Sequence, residues 1–100
     1  MVWYADTCVL LSLFFRDPGS QAALAWLEAA GSETIMITPW TRTEFASAAG
    51  IMARRGGISA DLHRDGLTRF ERFVDARLAV EAVDTADFDR ARVWIADYRS

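Results

Sequence analysis

Two acidic residues follow the first two predicted strands of this sequence. Asp6 comes directly after the apolar segment "VWYA", and Glu44 lies in the first turns of the helix that begins within "ITPWTRTE". The carboxyl ends of neighbouring parallel strands meet at one edge of a sheet, where ligands bind in such folds. Two carboxylates held together repel each other unless a cation lies between them, and Mg²⁺ accepts one or two carboxylates directly. The pair therefore predicts a Mg²⁺ site, with the Thr7 hydroxyl positioned to hold a bound water.

Each acid also has a purely structural interpretation. Asp6 could cap the helix that follows it by accepting a hydrogen bond from a free backbone N–H. Glu44 could complete the capping-box pattern "TRTE", although Thr38 followed by Pro39 is a better helix start and leaves Glu44 inside the helix. A solvated glutamate is the commoner fate of such a residue. The metal site thus depends on the two acids converging at one sheet edge.

The predicted elements alternate between strands and helices, which indicates an α/β domain with a parallel sheet and right-handed crossovers. Predicted helix caps are Ser20, Thr38 and Ser59, and a last helix is predicted to start at Asp84 and Thr85. Strands are predicted at residues 1–5, 33–38 and 78–83, and helices from Thr7 or Cys8 to 15, at 21–30, at 39–55, at 60–77 and after 85.

The composition bounds the class of protein. The chain has 100 residues, of which 52% are hydrophobic, so it fits one small domain with a buried core. Its formal net charge of −3 argues against a broad basic face for duplex nucleic acid. It contains no apolar run of the roughly 20 residues that a membrane span needs, and its start lacks a basic signal region, so we expect no membrane association and a cytoplasmic location. Cys8 and the four tryptophans are expected to pack in the core.

Three segments, taken in order, resemble the PIN-domain family and, within it, the VapC-like toxin ribonucleases of VapBC toxin–antitoxin pairs. These segments are "YADTCVLLSLF", "ITPWTRTEFASAAGIMARRGGIS" and "AVEAVDTADFDRARVWIADYRS". The resemblance implies a three-layer α/β/α fold with a central parallel sheet. The family's third acid lies in a stretch like "GDALHLA" in a later helix, and neither it nor the fourth acid has a counterpart here. We therefore expect residues 1–100 to form a single PIN-like domain that lacks the C-terminal helix and strands.

The resemblance also implies an activity, metal-dependent cleavage of RNA at a Mg²⁺ or Mn²⁺ site. Asp6 and Glu44 would be catalytic metal ligands, and Thr7 would orient a ligand or water. Arg42 would guide the RNA backbone, unless it is an ordinary solvated surface charge. Family members commonly act as homodimers that an antitoxin protein neutralises. With two of four acids, this chain alone is expected to be a poor nuclease or none. The alternative is a non-catalytic PIN-like binding or dimerisation module.

Overall fold

A computed structural model describes residues 1–80, and within them it contains three strands and four helices. The predicted α/β fold is confirmed, and it is consistent with a PIN-like α/β/α arrangement. The predicted strand residues 81–83 and the predicted last helix lie outside the described residues. In chain order the elements are β1 (Val2–Tyr4), α1 (Thr7–Phe14), α2 (Ser20–Ala30), β2 (Thr34–Ile37), α3 (Pro39–Arg54), α4 (Ala60–Arg77) and β3 (Leu78–Val80).

The three strands form a parallel sheet in the order β1-β2-β3. Tyr4 of β1 pairs with Met36 of β2, and the backbone N–H of Ala5 donates to the Met36 carbonyl oxygen at 3.1 Å. This register brings Asp6 and Thr38 to the same edge, because each follows its paired residue by two positions. The helices α1 and α3 therefore start side by side at the carboxyl ends of β1 and β2.

Two of the three predicted caps are confirmed. Thr38 and Thr41 cap α3 reciprocally, since each hydroxyl oxygen accepts the other's backbone N–H at 3.3 Å. The Ser59 side chain accepts from the backbone N–H of Leu62 at the start of α4.

The prediction for α2 is wrong by one residue. Gly19 occupies its N-cap position without a side-chain hydrogen bond, and Ser20 is the first helical residue. The Ser20 hydroxyl instead donates to the Ser12 carbonyl oxygen at 2.8 Å and accepts from the Asp17 backbone N–H at 3.0 Å. Ser20 thus ties the turn to the end of α1 rather than capping its own helix.

Aromatic side chains form the centre of the core where α1, α3 and α4 meet. Phe45 and Phe70 are almost fully buried, and their rings stack with centroids 3.8 Å apart. Phe14 packs edge-on against both rings. Gly66 lets α4 approach α1 closely, because a Cβ atom there would lie 2.3 Å from the Phe15 ring. The packing of these helices fixes where α3, and with it Glu44, stands relative to the sheet.

Two helical leucines, Leu24 of α2 and Leu62 of α4, are exposed. Leu24 is 51% exposed, since the buried residues of α2 are Ala23 and Ala30 and Leu24 lies outside the face that they form. Leu62 is 57% exposed, because it lies one turn before Gly66, the first buried residue of α4. No helix within residues 1–80 has the length and apolar character to span a membrane.

Candidate metal centre at the sheet edge

Asp6 is positioned by the strand before it and the helix after it. It is half-buried, has an extended backbone (φ −90°, ψ 170°), and is the N-cap residue of α1. Its Oδ1 atom accepts a hydrogen bond from the backbone N–H of Val9 at 2.9 Å. The capping interpretation of Asp6 is therefore confirmed. A cap does not exclude a metal role, because it fixes the direction of the carboxylate at the carboxyl end of β1.

Glu44 is the sixth residue of α3, and its side chain is exposed. It takes no part in the cap of α3, which uses Thr38 and Thr41, so the "TRTE" capping-box interpretation is wrong. Within residues 1–80 its carboxylate makes no hydrogen bond or ion pair. Its neighbour Phe45 is fully buried, which fixes the rotation of α3 and directs position 44 away from the core. The Glu44 carboxylate thus makes no polar contact that would stabilise the fold among these residues.

The topology places Asp6 and Glu44 at the same edge of the sheet, but the two residues differ in their distance from that edge. Glu44 lies five residues beyond Pro39, which is about 7.5 Å of helix rise. Helical side chains lean back toward the N-terminus of their helix, and this direction brings the Glu44 carboxylate toward the edge at which Asp6 stands. Convergence of the two acids on one ion remains a prediction.

Thr7 is the first residue of α1 and is half-buried beside Asp6. Its hydroxyl therefore belongs to the same end of α1 as the candidate ligand. The next residue, Cys8, is exposed, so the prediction that its thiol packs in the core is wrong. The buried face of α1 begins at Val9, so Cys8 precedes it in the helix.

Arg42 forms an ion pair with Glu71 of α4. Residues two apart on a helix do not face each other, so Arg42 and Glu44 project from different sides of α3. The ion pair holds the guanidinium at the junction of α3 and α4. The structure therefore does not bring Arg42 together with Glu44, and an RNA contact would require Arg42 to leave Glu71.

Trp40 belongs to this edge but was expected in the core, and that prediction is wrong. It is the second residue of α3 and is 72% exposed. Trp3 and Trp26 do pack, with their rings edge-on and 5.8 Å apart. The helical spacing in the sequence indicates the exposure of Trp40. This residue precedes Glu44 by four positions and lies off the face that buries Thr41 and Phe45.

The donor set suits a hard divalent cation. Asp6, Glu44 and Thr7 offer only oxygen atoms, and Mg²⁺ binds through one or two carboxylates while keeping several waters. Within residues 1–80 no group of three or more His, Cys, Asp or Glu side chains comes together. The described part of the edge thus supplies two protein carboxylates at most, which lies within the one or two that Mg²⁺ binds directly.

The family of the chain follows from a comparison with protein-family models. The model described as PIN domain matches residues 3–100 and so includes all four predicted site residues. Neither the curated proteins nor the solved structures gave a match. PIN domains are generally nucleases and typically bind divalent metals. The chain belongs to the PIN domain family.

Proposed function

We propose that this protein is a metal-dependent endoribonuclease in which Asp6 and Glu44 hold Mg²⁺ or Mn²⁺. One observation carries the proposal. Asp6 is fixed by its cap at the carboxyl end of β1, and the exposed Glu44 stands on the helix that begins at the carboxyl end of the adjacent β2. In a nuclease family, two carboxylates at this edge are the natural ligands for the cation.

The bound cation would acidify a water and polarise the scissile phosphate. The protein's own groups have simpler tasks. Asp6 and Glu44 bind and orient the cation, and without it their charges repel both each other and the phosphates of RNA. The Thr7 hydroxyl orients a water or the Asp6 carboxylate from the first turn of α1. Binding of RNA at this edge therefore depends on prior neutralisation of the two acids.

Arg42 is proposed to contact the RNA backbone at the side of the site. Its guanidinium would exchange the Glu71 carboxylate for a phosphate, and both groups bind the same planar fork of donors. Exposed ion pairs contribute about 0.2–1 kcal/mol, so the exchange costs little. Arg42 thus supports substrate binding without being a ligand of the metal.

The cellular role that we propose is that of a toxin in a toxin–antitoxin pair. It rests on the resemblance of the sequence to VapC-like toxins. In that role the protein would act in the cytoplasm as a homodimer, and a cognate antitoxin protein would neutralise it by covering the acidic edge.

The test of the proposal is single-turnover cleavage of single-stranded RNA by the wild type and by Glu44→Gln. We expect slow cleavage, because two carboxylates position the cation loosely and a misplacement of about 1 Å costs roughly 100-fold in rate. Cleavage should require Mg²⁺ or Mn²⁺ and should fall by about 100-fold or more in Glu44→Gln. Glu28→Gln is the matched control, since Glu28 is an exposed glutamate of α2.

The opposite result is cleavage that survives chelation of the metal or substitution of Glu44. Either observation would overturn the assignment of the two carboxylates. A wild-type protein that binds neither cation would favour the non-catalytic binding module instead.

A further inference from the structure

Trp40 is the most exposed aromatic side chain near the candidate metal centre. Its indole is 72% exposed, and within residues 1–80 it makes no ring contact and no hydrogen bond. Tryptophan ordinarily buries much of its large surface and finds a partner for its N–H group. Among residues 1–80 the indole therefore contributes little to the core.

The backbone of Trp40 is held rigidly. It follows Pro39 in the first turn of α3, and the reciprocal hydrogen bonds between Thr38 and Thr41 enclose that turn. The same turn sits at the carboxyl end of β2, in register with the end of β1. A large flat side chain is thus presented from a fixed position at the edge that carries Asp6.

Trp40 and Glu44 share one face of α3. They are four residues apart, a spacing that places side chains side by side on a helix, and both are exposed. Any chain whose phosphate reaches the cation near Glu44 would pass its neighbouring groups over the indole. For RNA, the groups flanking a phosphate are a ribose and a base.

We propose that Trp40 is a stacking platform for an unpaired RNA base next to the scissile phosphate. This inference rests on the proposed ribonuclease function and narrows its substrate to single-stranded RNA. A base inside a duplex has both faces covered, whereas an unpaired base can stack on an aromatic side chain. Trp40 then acts as a positioning residue that sets where the strand lies relative to the cation.

Charge favours an uncharged flat group, such as a base, over an acidic partner at this position. The nearest cation on α3, Arg42, is paired with Glu71 and projects from a different side of the helix than Glu44. Stacking joins two uncharged faces, so it can hold RNA beside carboxylates that repel its backbone. It should also be far less sensitive to salt than contacts with phosphates, which release counterions.

The experiment measures binding separately from cleavage. A short fluorescein-labelled single-stranded RNA is titrated with the full chain by fluorescence anisotropy, with Ca²⁺ replacing Mg²⁺, at low and at high salt. Trp40→Ala should weaken binding about 30-fold, the middle of the range for loss of one stacked base, and the ratio should be the same at both salt concentrations. Trp40→Phe keeps an aromatic face and should retain most of the affinity.

Leu24→Ala is the matched control, because it also removes a large exposed apolar side chain, but from α2. It should bind like the wild type, and circular dichroism should show all variants folded. A labelled duplex of the same sequence should bind equally to the wild type and to Trp40→Ala. These results together would establish the stacking role.

Several outcomes would overturn it. Trp40→Ala could bind single-stranded RNA like the wild type, or its defect could vanish at high salt. It could also leave RNA binding intact while converting a dimer to a monomer in light scattering, in which case the indole covers a second copy of the chain. The proposed function fails separately, when the wild type binds RNA through Trp40 but does not cleave it with Mg²⁺ or Mn²⁺.

Discussion

The two sides of α3 differ in what surrounds them. On one side Phe45 is fully buried and stacks on Phe70 of α4. On the other side Trp40 and Glu44 are exposed beside the end of the sheet. Glu44 and Phe45 are adjacent in the chain, yet one belongs to the candidate site and the other to the core. One face of α3 therefore packs in the core while the other carries the candidate site, so stability and activity should respond to different substitutions.

The largest effect on stability is expected on the buried side. Phe45→Ala should lower the free energy of unfolding by about 3–5 kcal/mol, because it removes a ring that stacks on Phe70 and leaves a cavity. Urea denaturation followed by circular dichroism measures the change. Glu44→Gln on the exposed side should shift the same quantity by less than about 0.5 kcal/mol. Equal losses of stability for the two variants would show that the two faces of α3 do not differ in their contribution to the fold.

Gly66→Ala tests the close approach of α4 to α1. The added Cβ atom would lie 2.3 Å from the Phe15 ring, so repacking should destabilise the protein by about 1–3 kcal/mol.

Gly50→Ala in α3 is the matched control for this substitution. Among residues 1–80 its Cβ atom would meet only the flexible Arg54 side chain, at 3.3 Å. Alanine is the better helix former by about 1 kcal/mol, so thermal unfolding should show a neutral or stabilising change. A Gly66→Ala protein as stable as the wild type would show that the Phe15 side chain moves aside at little cost in free energy.

Asp6 joins the two regions, since it caps α1 and is the proposed metal ligand. Asp6→Ala should cost about 1 kcal/mol of stability through loss of the cap to Val9. Asp6→Asn should retain most of that stability, because asparagine is an equally good N-cap residue. Differential scanning calorimetry would reveal the difference, and equal destabilisation by both variants would mean that the negative charge, not the cap, supplies the stability.

The smallest effect is expected for the ion pair between α3 and α4. A double-mutant cycle of Arg42→Ala and Glu71→Ala should give a coupling energy of about 0.2–1 kcal/mol, because both side chains are about half exposed to solvent. Chemical denaturation of the four proteins measures it. A coupling well above this range would make Arg42 a structural residue and weaken its proposed role in RNA binding.

Local patterns in the sequence predict much of this fold. The order of strands and helices within residues 1–80, the cap of α3 by Thr38 and the end of α4 at Arg77 all depend on residues close in the chain, and all are confirmed. Asp6 as the cap of α1 belongs to the same class. Such features are predictable because their energetics are local.

Features that depend on distant residues were harder to predict. The exposure of Trp40, Cys8 and Leu24 depends on which face of each helix is covered by a neighbouring helix. The type of an apolar residue does not indicate which face that is. Arg42 finds its partner on another helix, 29 residues later in the chain. Whether Asp6 and Glu44 converge depends likewise on the placement of α3 over the sheet, which no local pattern specifies.

Mn²⁺ binding measured by isothermal titration calorimetry shows whether Asp6 and Glu44 hold one cation together. The wild type, Asp6→Asn, Glu44→Gln and the double variant form a complete cycle. If the two carboxylates share an ion, each single substitution should weaken binding strongly and the double substitution should add little, because the effects of shared ligands are not additive. Wild-type affinity in either single variant, or fully additive losses in the double variant, would contradict a shared site.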